Sequence, residues 1–222
     1  MTVLHLADEG EAADLAAFLS RLLHYDRGAA VRLQAAGTAL AVFGRPPSFE
    51  VLAVRAVRLA KPYENGLDVT LDVTVSAGEL LESVDEKGAT AVVPGAVTGP
   101  PWAGVLPPRG GWRPEPGLPA PDALRALVAA VVAEFRSRTQ ELPAERRTRA
   151  ELDRIGRDIW SRTVGETRLP VRAVHAAQSL GFLRPGQPPA LLSSGAWLRL
   201  RTPYGSIAVR RAGLGALDVS VR

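Results

Sequence analysis

The sequence predicts an α+β fold in two parts, and three observations carry that prediction. Residues 1–93 mix short segments of period-two alternation with two capping-box helix starts. Residues 94–120 are dominated by proline and glycine and hold two tryptophans. After Pro121 the apolar period becomes helical before a last hairpin closes the pattern. The expected organisation is an antiparallel-sheet domain with two helices over 1–93, a connector over 94–120, and a basic helical domain ending in a β-hairpin over 121–222. At 222 residues, one large domain or two small ones both fit, and either buries a real core.

Residues 2–6 (TVLHL) read as a short strand. Asp8 and Glu11 have capping-box spacing and open a helix through about Tyr25, with Leu15, Phe18, Leu22 and Leu23 recurring on one face. Val31–Gln34 and Ala39–Phe43 flank an Ala-Gly turn and predict a hairpin. FEVLAVRAVRLA (49–60) and LDVTLDVTV (67–75) alternate as half-buried strands do. Asp68 and Asp72 share the polar face of the second with Thr70 and Thr74, which reads as a solvated face. Ser76 and Glu79 repeat the capping-box spacing and predict a short helix to about Val84, and residues 90–98 offer one more strand.

PGAVTGPPWAGVLPPRGGWRPEPGLP (94–119) excludes a regular helix or a central strand. Disordered segments are poor in aromatics, so Trp102 and Trp112 point to docking of this connector on one of the domains, holding the halves together. A second reading makes Trp102, Arg109, Trp112 and Arg113 a loop for a partner or for stacking on nucleic-acid bases. Beyond Pro121, Leu124, Leu127, Val128, Val131, Val132 and Phe135 mark a helix over about 121–139. A second helix is expected over 150–164, with Leu152, Ile155, Ile159 and Trp160 inward and Gly165 ending it. Pro170 suits the first turn of a third helix reaching about Leu180. Ala196–Arg201 and Ser206–Arg211 alternate around a Pro-Tyr-Gly turn and predict the closing hairpin.

Charge divides along the chain. Residues 1–119 carry 10 Lys+Arg against 14 Asp+Glu, a net of −4, whereas residues 120–222 carry 17 Arg and no Lys against 9 Asp+Glu, a net of +8. A guanidinium binds phosphate and carboxylate in a bidentate fork, so an Arg-only basic half favours a partner rich in either. Lysine occurs only at 61 and 87 against 25 arginines, a bias that a GC-rich genome also produces; codon bias does not explain why the acids gather in one half.

AELDRIGRDIWSRTV, GETRL, PVRAVHAAQSL and the hairpin WLRLRTPYGSIAVRR together resemble a winged helix-turn-helix domain over about residues 121–211. The resemblance implies that the third helix enters a major groove while the hairpin follows the backbone. With Val171, Val174 and Leu180 inward, Arg172, His175, Gln178 and Ser179 face outward as base or phosphate contacts. Arg199, Arg201, Arg210 and Arg211 on the hairpin would grip phosphates. Arg199 and Arg201 share a strand face, whereas adjacent Arg210 and Arg211 must point to opposite faces. In the N-terminal part, VRLQAAGTALAVFG, FEVLAVRAVRLA and LDVTVSAGELLESV resemble one repeat of a DNA sliding clamp in pattern and topology. A clamp needs several such repeats and this chain has at most one, so a generic α+β sandwich is the reading the pattern favours, and no clamp residue is carried over.

Several chemistries find no support. The chain has no cysteine, so disulfides, thiolate metal sites and Cys nucleophiles are excluded. The three histidines, His5, His24 and His175, lack metal-ligand spacing, and no metal or cofactor is expected. No GxSxG, SxxK, GxxxxGKS, GxxxxGKT or GxGxxG motif occurs, and the Gly-rich RAGLGALD lacks a following helix. No apolar run is long enough to span a bilayer and MTVLHLADEGE has no basic n-region, so a cytoplasmic protein is expected. Two functions remain: a non-enzymatic nucleic-acid-binding or regulatory protein acting on DNA or RNA through the arginines named above, and a protein–protein adapter or self-associating assembly factor in which acidic and basic halves pair.

Overall fold

The structure, a computed structural model, describes residues 2–46, 49–60 and 71–211. Asp68, with the rest of 67–70 in the second alternating segment, and residues 212–218 of RAGLGALD lie outside the described residues. The elements form where local chemistry asks for them. Strand β1 (Val3–His5) leads into helix α1 (Glu9–Tyr25), whose N-cap Asp8 accepts a hydrogen bond from the Glu11 N–H at 2.9 Å. Strands β2 (Ala30–Ala36) and β3 (Ala39–Gly44) make the expected hairpin, followed by β4 (Leu52–Arg58) and β5 (Asp72–Ser76). Ser76 then caps α2 (Ala77–Glu82) through the Glu79 N–H, and β6 (Thr90–Val92) pairs with β1 in a separate two-stranded sheet.

The C-terminal part carries strands as well as helices. After β7 (Arg113–Glu115) come α3 (Pro121–Gln140), α4 (Arg149–Trp160) and α5 (Val171–Ser179), then β8 (Ala190–Ser194), β9 (Trp197–Thr202) and β10 (Gly205–Arg210). Helix α4 stops at Trp160, five residues short of the Gly165 expected to end it. There the backbone turns into a tight loop closed by the Val164 N–H on Leu169 O, at 2.9 Å, and by a bridge between Thr163 and Pro170.

Eight strands form one antiparallel sheet in the order β5-β2-β3-β4-β10-β9-β8-β7. The two ends of the chain meet where β10 pairs β4, Ser206 opposite Val54 and Ala208 opposite Leu52. The hairpin β9–β10 is therefore an interior part of the sheet. Side chains alternate across it, so the ladder register sorts them onto two faces. One face carries Leu33, Val42, Val57, Leu200 and Ile207, all buried beneath α1 and α5 in a core that draws on both halves of the chain. The fold is thus α+β and antiparallel. Among the described residues, no helix is long and apolar enough to cross a membrane.

The second face carries Phe43, Leu52, Val54 and Ala208, and the connector covers it. The segment joins at the β5 edge, where the Val97 N–H bonds Thr74 O at 2.9 Å. It then turns through a short 3-10 helix at Pro101–Gly104 and packs Trp102 and Leu106 on that apolar patch. It leaves at the opposite edge as β7, paired to β8. Pro114 sits in that edge strand, where a missing N–H costs no interior ladder bond. The connector thereby crosses a sheet built from both halves.

Two further contacts fasten the halves together on the helix-covered side. Arg55 on β4 is 4% exposed; it donates to Glu11 Oε2 at 3.0 Å, to Asp14 Oδ2 at 3.3 Å and to the Tyr204 carbonyl at 2.9 Å. Gly205 opens β10 at φ 154°, and a Cβ there would stand 2.5 Å from the Phe182 ring, which itself stacks on Phe18. Glycine alone meets both demands.

Candidate functional site

The arginines and polar residues expected to contact nucleic acid divide into two sets on opposite sides of the sheet. Helix α5 turns Val171, Ala173, Val174, Ala176 and Ala177 into the helix-side core. Gln178 is exposed and Arg172 half-buried, its Nε without a partner among the described residues. His175, expected to face outward, is packed instead. It stacks on Trp160 of α4 with ring centroids 4.6 Å apart and meets Phe49 edge-on at 5.0 Å, and burial pushes its pKa below the ordinary histidine value. The reason is tertiary: Phe49 lies far away in sequence, and its arrival closes a face of α5 that helical periodicity leaves open.

The hairpin arginines lie on the connector-covered face. Arg199 pairs with Ala208 and Arg201 with Ser206, and Arg210 stands opposite Trp197, so all three point to the same side. Arg211 leaves that row; its backbone N–H and guanidinium bond the Ala196 and Gly195 carbonyls at the far turn. A continuous basic stripe from α5 to the hairpin does not form, because the sheet lies between them.

Arg199 is the centre of this face. Its Nε donates to Ser206 Oγ at 2.9 Å and its guanidinium lies 5.5 Å from the Trp112 ring. Burial pushes its pKa down, and the neighbouring Arg201 charge pushes the same way. Trp112 is fixed in turn by its indole N–H, which donates to Pro108 O at 3.0 Å. Arg201, Arg210, Arg109 and Arg113 are exposed, the last on edge strand β7. None of Arg109, Arg199, Arg201 and Arg210 makes an ion pair among the described residues.

The far end of the same face is neutralised. Arg32 forks onto Asp72 at 2.8 and 3.0 Å and also reaches the Ala103 carbonyl of the connector. The Arg32 hydrogen bond holds the Asp72 carboxyl below the usual carboxylate range, with Gln34 and Arg109 adding to the effect. The face is therefore graded, from an acid–base pair on β2 and β5 to uncompensated cations on β9 and β10. Between the two ends, the connector roofs a hollow of about 230 Å³ over Ala39, Ala41, Phe43, Val54 and Ala56, with Arg109 and Arg199 at its walls. Among the described residues, no group of three or more His, Asp or Glu converges to hold a metal ion.

Alternation places Arg199 and Arg201 on one strand face from the sequence. The roles of Trp197, Ser206 and the alanine floor carry no sequence signal, since each depends on which strands become neighbours. Comparison with known families matches residues 1–104 to one described as Domain of unknown function (DUF8010) and residues 107–214 to another described as Domain of unknown function (DUF8185). The junction between the matches falls inside the connector, just after the turn that seats Trp102. No curated protein matches the chain.

Proposed function

We propose that this protein is a non-enzymatic nucleic-acid-binding protein whose contact surface is the Arg-bearing end of the connector-covered sheet face. The observation that carries the reading is the row of Arg199, Arg201 and Arg210 on one face, with no ion-paired carboxylate among the described residues and with Trp112 and Trp197 interleaved. Guanidinium groups neutralise phosphates and release counterions, while indole rings offer stacking platforms to bases.

Two contact modes are open to such a protein. A winged-helix mode would place α5 in a major groove and the β9–β10 hairpin along the backbone of one duplex. It requires both elements to reach the same side, whereas α5 packs beneath the sheet and the hairpin arginines project above it. A single strand laid across the sheet face needs only the hairpin and the connector, and this is the mode we favour.

The test is fluorescence anisotropy of labelled single-stranded and duplex oligonucleotides at low and near-physiological salt. Binding should weaken steeply with salt and favour the single strand. Arg201→Gln and Arg210→Gln should each lower the slope of log affinity against log salt by about 1. No binding of either form at low salt rejects the proposal, and duplex preference returns the winged-helix mode.

A protein–protein adapter is the second reading, favoured by one observation. An acid of the N-terminal half already pairs with a base of the C-terminal half within the chain, Asp14 with Arg184 at 2.9 Å. If such pairing also operates between chains, light scattering will show salt-sensitive self-association; a monomer mass at every salt concentration rejects that version.

A further inference from the structure

We propose that the hollow between the connector and strands β2–β4 is a binding site for a small organic carboxylate with a flat apolar body. Three features of its construction point there. The floor is made of alanines at cross-strand neighbouring positions: Ala41 directly opposes Ala56, and Ala39 continues the same side of β3. Larger residues, Phe43 and Val54, wall the side nearer β10. The small side chains leave a recess that the sheet's own residues do not fill.

The roof is rigid. The rings of Pro107 and Pro108 fix their φ angles, and the Trp112 indole N–H donates to the Pro108 carbonyl at 3.0 Å. The recess is therefore formed before any occupant arrives, which lowers the cost of binding. At about 230 Å³ it lies below the roughly 300–1,000 Å³ of sites for drug-sized molecules, so its occupant is small.

The third feature is charge. Arg199 is half-buried in the wall, with one hydrogen bond to Ser206 Oγ, the Trp112 ring 5.5 Å away and no ion pair among the described residues. A half-buried cation without a counter-charge is costly, and an incoming carboxylate supplies two oxygens for the guanidinium fork. Arg109, exposed at the rim, adds a second positive charge. The apolar floor and walls select against hydrated inorganic ions and favour a flat hydrocarbon body. The hollow shares Arg199 with the proposed nucleic-acid surface but not Arg201 or Arg210, so Arg201→Gln and Arg210→Gln test that surface while leaving the hollow's lining intact.

The experiment is isothermal titration calorimetry of the full chain, free of nucleic acid, with three probes: 2-naphthoate, the neutral 2-naphthamide and inorganic phosphate. We expect 2-naphthoate to bind, and to bind about tenfold or more tightly than either other probe, as a charge-assisted pair on an apolar surface requires. Arg199→Met keeps the apolar stem and should weaken 2-naphthoate about tenfold while leaving 2-naphthamide unchanged. Ala56→Leu, at an exposed position on the floor, should abolish binding of both aromatic probes with Arg199 intact. Circular-dichroism melting of both variants reports whether the fold is retained. No heat with 2-naphthoate, equal affinity for acid and amide, equal affinity for phosphate, or unchanged binding in Ala56→Leu would each overturn the proposal.

Discussion

The two faces of the eight-stranded sheet are covered by different means. On one side, regular helices α1 and α5 lay apolar stripes over Leu33, Val42, Leu200 and Ile207, and the interface is continuous with the core. On the other, an irregular run of proline, glycine and tryptophan crosses from one sheet edge to the other and covers only a patch around Phe43, Leu52, Val54 and Ala208. A helix presents a repeating stripe and seals a face. A proline-rich strap touches it at intervals, leaving hollows and exposed charges between its anchors. Stability therefore concentrates on the first face, and the groups able to meet a ligand concentrate on the second.

The comparison breaks if truncations on the two faces cost the same. Arg55→Ala on the helix side should give the largest loss, about 3–5 kcal/mol by urea denaturation, because it removes a buried guanidinium that bonds Glu11, Asp14 and the Tyr204 carbonyl and leaves the buried Glu11 carboxylate only the exposed Arg58 as a partner. Trp102→Ala removes a half-buried anchor of the strap and should cost less, about 1.5–3 kcal/mol, while leaving a cooperative transition.

His175 sharpens the contrast by its pH dependence. Its folded pKa lies below the unfolded value of about 6.5, so the unfolded chain binds more protons between the two. The stability that comes from keeping the ring neutral is fully present above the unfolded pKa and is lost as pH falls through the folded one. Melting temperature should therefore drop on acidification through that window, and His175→Phe should flatten the drop. A variant with the same pH profile as the parent would show that the ring between Trp160 and Phe49 does not carry the effect.

The smallest stability effects belong to the exposed arginines. Arg201→Gln and Arg210→Gln should change stability by no more than about 0.5 kcal/mol, because neither makes an ion pair among the described residues. A larger loss in thermal unfolding would assign them to the scaffold and remove them from the candidate surface.

Much of the local structure was legible in the residues. Asp8 and Glu11, and Ser76 and Glu79, announced two helices through a pattern three residues wide, and those caps close as hydrogen bonds. The β2–β3 and β9–β10 hairpins followed from alternation around short turns. Strands β7 and β8 were not legible: three residues containing a proline, and ALLSS after a Gly-Pro stretch, hold too few alternations to stand above a loop. The candidate site was half legible. Arg199 and Arg201 share a face by period alone; that Arg210 joins them and Arg211 does not follows from the register Ala208 to Arg199, which sequence leaves open.

By itself, then, the sequence determined the α+β class, the antiparallel hairpins and the capped helices, because each is written in contacts between residues a few positions apart. Only the tertiary structure decided that β10 lies against β4, that α5 and the hairpin arginines end on opposite sides of one sheet, and that a proline-rich strap roofs an alanine floor. Those outcomes rest on pairings between distant segments such as Val54 and Ser206, whose preference comes from the whole buried surface they complete and leaves no periodic trace in either segment.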